Sequence, residues 1–134
     1  MFGENPKRPS KNSDGTILDV QEIFKTLQGE GPYVGSPSIF LRLGGCNLAC
    51  KFCDTEFESF KPIKIDDIIE KINQLAYNLD NIRTTNLVVI TGGEPFRQEI
   101  GPICKKLITM GYKIQIETNG TLYRPIEKEV DIIC

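Results

Sequence analysis

The chain has 134 residues, of which 40% are apolar and 25% charged, a length and balance that fit one globular domain and exclude collagen-like, coiled-coil and wholly disordered classes. Sixteen basic against eighteen acidic residues give a net charge of −2, and with no dense Lys/Arg stretch nucleic-acid binding is not expected. No apolar run approaches the roughly 18 to 20 residues needed to span a bilayer, and Met1–Gly15 lacks the apolar segment of a secretory signal, so a cytoplasmic protein without membrane contact is expected.

Residues 1–16 (MFGENPKRPSKNSDGT) are rich in Pro, Gly and small polar residues and predict a flexible N-terminal arm; residues 17–134 form the core. Asp19–Thr26 (DVQEIFKT) reads as a strand, followed by a turn-rich stretch at Gln28–Pro32. Ser38–Leu43 (SIFLRL) is a β-branched and aromatic strand with Arg42 as its one charge, and Gly44-Gly45 ends it. After a cysteine-rich loop, Ile65, Ile68, Ile69, Ile72, Leu75, Ala76 and Leu79 share one helical face, with Asp66 and Asp67 in the first turn.

Leu87–Ile90 (LVVI) is a continuous apolar run bounded by Thr91-Gly92-Gly93, the pattern of a parallel strand buried on both faces. A second helix is predicted from Pro102 to Met110 with Gly111 as its C-terminal cap. Tyr112–Thr118 alternates like a strand, Asn119-Gly120 turns, and Val130–Cys134 predicts a last strand. The order β, α, β, α, β, β is that of an α/β unit whose parallel strands are joined by right-handed crossovers. Ending on an apolar half-strand predicts a C-terminally truncated portion of a longer barrel.

Five cysteines without an export signal point to thiols, metal ligands or catalytic groups rather than disulfides, and the absence of histidine excludes His-based catalysis and mixed Cys/His zinc sites. Cys46, Cys50 and Cys53 put three thiols within eight residues, directly after a strand. An iron–sulfur cube takes four thiolates, so a loop offering three leaves one iron without a protein ligand, and an open metal position is where chemistry happens. The alternative is a tetrahedral zinc site completed by Cys104 or Cys134, although Cys104 falls on the apolar face of a helix, where a buried inert thiol is expected.

The Cx3Cx2C spacing, with Phe52 before the third cysteine, resembles the cluster loop of the radical S-adenosylmethionine superfamily, and Thr91-Gly92-Gly93-Glu94-Pro95 resembles its GGE motif. Leu27-Gln28-Gly29-Glu30-Gly31-Pro32, Cys53-Asp54-Thr55 and Glu117-Thr118-Asn119-Gly120-Thr121 are similar to stretches of the 7-carboxy-7-deazaguanine synthase family, with the resemblance running from about Val20 to the last residue.

The resemblance implies a partial (β/α) barrel of the radical SAM type. It implies that Cys46, Cys50 and Cys53 bind three irons of a [4Fe–4S] cluster, the fourth iron taking the amino and carboxylate groups of S-adenosylmethionine. A 5′-deoxyadenosyl radical would then abstract hydrogen from 6-carboxy-5,6,7,8-tetrahydropterin, whose ring contracts with loss of ammonia to 7-carboxy-7-deazaguanine, a queuosine precursor. By the same resemblance Gly92 and Gly93 approach S-adenosylmethionine, Glu94 accepts from its ammonium, Phe52 packs near the adenine and Glu117 reaches the ribose. Gln28, Gly29, Glu30, Arg42 and Thr91 would bind substrate, and Thr55 would ligate Mg2+ with Asp54 behind it.

A charge such as Arg42 within an apolar strand needs an anion, either the substrate carboxylate in a bidentate pair or Glu30 in an internal salt bridge. A reductant such as flavodoxin or ferredoxin and a homodimer are further expectations of the resemblance. The alternatives are another radical enzyme, such as a glycyl-radical activase, or a non-catalytic Fe–S or zinc module. The superfamily's later contacts would follow Cys134.

Overall fold

The computed structural model describes residues 14–29, 31–45, 60–120, 126 and 130–133. Six strands form one sheet in the order β3-β1-β2-β4-β5-β6, with β1 at Ile17–Leu27, β2 at Pro37–Leu43, β3 at Lys61–Lys64, β4 at Leu87–Gly92, β5 at Lys113–Glu117 and β6 at Asp131–Ile133. Helix α1 (Ile65–Ala76) precedes β4, and α2 (Gly101–Thr109) precedes β5. Strands β2, β4, β5 and β6 are parallel, as the crossovers require.

Strand β1 stands apart from these parallel strands, because it is antiparallel to both β2 and β3. The connection from Gln28 to Ser36 is too short for a parallel crossover, so the chain folds back as a hairpin. Two backbone bonds close that connection: Gln28 N–H to Ser36 O at 2.9 Å and Gly35 N–H to Gln28 O at 2.6 Å. Strand β3 was not expected. Its sequence Lys-Pro-Ile-Lys has no alternation to announce it, and only pairing with Ile17–Val20 makes it extended; Pro suits an edge strand.

Alternation divides the sheet into two unlike faces. Ile39, Leu41 and Leu43 of β2, Val88 and Ile90 of β4, and Ile114 and Ile116 of β5 join Ile65, Ile68, Ile69, Ile72 and Ala76 of α1 and Ile103, Cys104 and Leu107 of α2 in one core. Cys104 is thus buried among apolar side chains. The opposite face carries Phe40 and Arg42 of β2, Val89 and Thr91 of β4, and Gln115 and Glu117 of β5, which we term the inner face of the partial barrel.

Helix α1 is shorter than its apolar periodicity predicts. It stops at Ala76, Tyr77 is extended, and Leu79 is fully exposed instead of completing the buried face. A bridge between Tyr77 and Arg83 competes with the next helical turn, and Asn78 caps the resulting loop by accepting from the N–H groups of Asp80 and Ile82. At its start, α1 has no side-chain cap; Ile65 N–H instead donates to Thr16 O at 3.0 Å. Helix α2 has Pro102 in its first turn and is followed by Gly111 at φ +91°, the left-handed residue expected there.

Most of the arm expected over residues 1–16 lies outside the described residues. Of the described part, Asp14 accepts hydrogen bonds from the N–H and hydroxyl of Thr16, and Gly15 is buried against Pro102 and Glu99.

Candidate functional site

The C-terminal ends of β2, β4 and β5 converge on the residue that opens the cysteine loop. Strand β2 exits through Gly44-Gly45, directly before Cys46, and Gly44 packs against Phe60, where the described chain resumes. Both ends of the cysteine-bearing segment therefore meet at the end of β2. Cys46, Cys50, Phe52, Cys53, Asp54 and Thr55 themselves lie outside the described residues, as do Glu30 and Cys134.

The Gly92-Gly93-Glu94 turn is fastened to that exit. Gly93 N–H donates to Leu43 O and Glu94 N–H to Gly45 O, both at 3.1 Å. Gly92 holds φ +120°, and a Cβ there would overlap the Leu43 backbone, so glycine is required both for its conformation and for the close approach. This turn lies at the C-terminal end of a parallel strand, where α/β folds build their sites.

Glu94 is fully buried. The Thr118 hydroxyl lies 2.6 Å from Oε1 and 2.5 Å from Oε2, and Asn119 N–H donates to Oε1 at 3.2 Å. Burial pushes the Glu94 carboxyl above its ordinary value, while the Thr118 hydroxyl and the backbone N–H groups of Asn119 and Phe96 pull it down. Thr118 and Asn119 belong to the Glu117–Thr121 stretch, but their role as donors to Glu94 is visible only once β4 and β5 are adjacent.

A second group braces the loop entrance from below. Arg97 Nη2 donates to Asp19 Oδ2 at 3.3 Å and to Gly44 O at 3.1 Å, and the Gln98 amide donates to Asp19 O at 3.1 Å and accepts from Asp19 N–H at 2.7 Å. A Cβ on Gly45 would stand 2.7 Å from the Arg97 guanidinium. Sequence reasoning missed Asp19, Arg97 and Gln98. The one signal was two polar residues, Arg97 and Gln98, three and four positions after Glu94 and before an apolar helix.

On the inner face, Arg42 and Thr91 are register partners. Arg42 is only partly buried, pairs with Glu22 at 2.6 Å and lies 5.1 Å over the Phe24 ring. Its carboxylate partner among the described residues is Glu22, across from it on β1, while Glu30 lies outside them. Gln28 is buried and its amide donates to Glu117 Oε2 at 3.2 Å, with the Gln115 amide 3.4 Å from the same oxygen. Glu117 thus points along the inner face rather than into solvent. Gly29 has open space around it. At the far end of this face the Tyr33 hydroxyl donates to Asp131, which holds the phenol above its usual range.

The comparisons agree with this geometry. Residues 41–134 match the model of the Radical SAM superfamily. The chain belongs to the Radical SAM superfamily. It is 65% identical over all 134 residues to a 7-carboxy-7-deazaguanine synthase of Rickettsia prowazekii (strain Madrid E) and 48% identical over 138 aligned positions to that of Rhodospirillum rubrum. All of this chain is covered in both, but only 57% and 56% of the relatives, so it spans a little over half their length. The crystal structure of QueE from Escherichia coli matches with a TM-score of 0.76 and 30% identity, over 87% of this chain and 59% of that one.

Membership of the superfamily implies a [4Fe–4S] cluster and S-adenosylmethionine. Among the described residues no group of three or more His, Cys, Asp or Glu could hold a metal ion, and Cys46, Cys50 and Cys53 lie outside them. The described frame suits the cluster: the Gly92-Gly93 turn is fastened to the residues just before Cys46, and the buried Glu94 carboxylate follows it directly.

Proposed function

We propose that the protein is a 7-carboxy-7-deazaguanine synthase, a carbon–nitrogen lyase converting 6-carboxy-5,6,7,8-tetrahydropterin to 7-carboxy-7-deazaguanine with release of ammonia, in queuosine and 7-deazapurine biosynthesis. The observation that carries this reading is the fastening of the Gly92-Gly93-Glu94 turn to the entrance of the cysteine loop, beside a polar inner face bearing Arg42, Thr91, Gln28 and Glu117. Cys46, Cys50 and Cys53 would hold the cluster, which when bound supplies the electron that converts S-adenosylmethionine into a hydrogen-abstracting radical.

The chain's own residues bind and orient. Glu94, held in one position by Thr118 and Asn119, accepts a hydrogen bond from the methionyl ammonium. An ammonium beside it favours the ionised carboxylate and offsets the effect of burial. Gly92 and Gly93 admit the methionyl backbone, Phe52 packs at the adenine, and Glu117 reaches the ribose. Arg42 receives the pterin carboxylate in exchange for Glu22, a bidentate guanidinium pair being stronger than the half-exposed one it replaces. Gln28, Gly29, Glu30 and Thr91 complete the substrate contacts, and Thr55 ligates Mg2+ with substrate oxygens and water.

The enzyme works in the cytoplasm as a homodimer and takes its electron from a flavodoxin or ferredoxin. Anaerobic reconstitution of the full-length protein with iron and sulfide, followed by reduction and addition of S-adenosylmethionine, the pterin and Mg2+, tests the reading by mass spectrometry. Both 5′-deoxyadenosine and 7-carboxy-7-deazaguanine are expected. Deoxyadenosine without the deazaguanine would overturn the substrate assignment, and neither product would overturn the enzyme reading.

A further inference from the structure

One buried polar group on the inner face is left half satisfied. Gln115 is fully buried in the middle of β5, yet its side-chain oxygen has no hydrogen-bond partner. Its amide nitrogen lies 3.4 Å from Glu117 Oε2. Reversing the amide would set its oxygen against the Glu117 carboxylate, so the acceptor is the free end. Gln115 alternates with Ile114 and Ile116, which belong to the helix-side core, and so it faces inward beside Val89 and Asp131, its register partners. A buried carbonyl oxygen without a donor costs stability that an apolar residue of similar size would recover.

We propose that Gln115 contacts the substrate: its side-chain oxygen accepts a hydrogen bond from an N–H on the heteroaromatic edge of the bound pterin, while its own N–H holds Glu117 in place. This rests on the pterin reading above and assigns the end of the substrate remote from Arg42. Arg42 and Gln115 stand two strands apart and two residues apart along them, which is about 10 Å by about 7 Å between backbones. A flat bicyclic ring with a carboxylate at one end and N–H donors at the other spans such a gap. The inner face carries the Arg42 cation at one end of this span and the Gln115 side-chain oxygen as an acceptor at the other, with Lys113 further along β5.

The test uses the full-length, cluster-loaded protein with S-adenosylmethionine and two probes that do not react: 6-carboxypterin, followed by its fluorescence, and pyrazine-2-carboxylate, which keeps the carboxylate but lacks the pyrimidine N–H groups. Gln115→Leu is expected to weaken 6-carboxypterin roughly 10-fold or more and to leave pyrazine-2-carboxylate unchanged, while thermal stability rises because the orphaned oxygen is gone. Equal 6-carboxypterin affinity in wild type and Gln115→Leu would overturn this inference and leave the enzyme reading standing. A parallel loss of both probes would also overturn it, since that marks a general disturbance of the site. Failure of the wild-type protein to bind 6-carboxypterin at all would remove the pterin reading and this inference together.

Discussion

The two faces of the sheet are built on opposite terms. Toward the helices Ile39, Leu41 and Leu43 of β2, Val88 and Ile90 of β4, and Ile114 and Ile116 of β5 are aliphatic and closed off from water, and they need no partner beyond shape. Toward the inner face and the strand ends, Asp19, Gln28, Glu94, Arg97, Gln98 and Gln115 are buried as polar groups, each tied into a hydrogen-bond network. The helix side supplies the stability that lets the other side carry groups chosen for a ligand. The hydrogen bonds of the Arg97 Nη2 group go to Asp19 and Gly44 and are structural; at Gln115 the side-chain oxygen has no protein partner, and the proposed ligand supplies one.

Breaking the network around Arg97 should have the largest effect. Arg97→Met leaves the Asp19 carboxylate buried without its cation and should cost about 4 kcal/mol in chemical denaturation. The double variant Asp19→Asn with Arg97→Met should recover part of this, which distinguishes a stranded charge from lost packing. On the apolar side, Ile72→Ala removes a fully buried side chain from α1 and should cost about 3 kcal/mol. After allowance for unfolded protein, it should leave S-adenosylmethionine affinity alone, and altered affinity would blur the division between the faces.

A smaller and pH-dependent effect is expected of Thr118→Val, which removes the hydroxyl from Glu94 at about 2 kcal/mol. The Glu94 carboxyl is already raised by burial, and losing Thr118 raises it further. A raised folded value means that the stability associated with the protonated form is present below the ordinary 4.5 and is lost as pH climbs through the folded value. The penalty of Thr118→Val should therefore be larger in denaturation at pH 7 than at pH 4; a constant penalty would refute the assignment. The smallest change is at Glu22→Ala, because its pair with Arg42 is half exposed and worth under about 1 kcal/mol. That variant should bind a carboxylate ligand no worse than wild type, since Arg42 is then released.

Much of the fold was legible where periodicity was strong. LVVI at Leu87–Ile90 could only be a strand buried on both sides, and the isoleucines from Ile65 to Ile72 could only be one face of a helix. Lys61–Lys64 was not legible, because an edge strand this short takes its conformation from its neighbour rather than from its own residues. Leu79 misled for a related reason. Periodicity marks a face but not an end, and here the bridge between Tyr77 and Arg83 ends the helix.

The candidate site divides in the same way. Chain-local chemistry was determined by the sequence alone: the three thiols at Cys46, Cys50 and Cys53, the Gly92-Gly93-Glu94 turn, and the charge of Arg42 in an apolar strand. Those depend on residue type and spacing, which are covalent facts. Only the tertiary structure decided that Thr118 serves Glu94, that Arg97 and Gln98 brace Asp19 and Gly44, that Arg42 rests on Glu22, and that Gln115 keeps an acceptor in reserve. These are contacts between residues 20 to 79 positions apart, and their partners are set by strand order and register, which no single segment specifies.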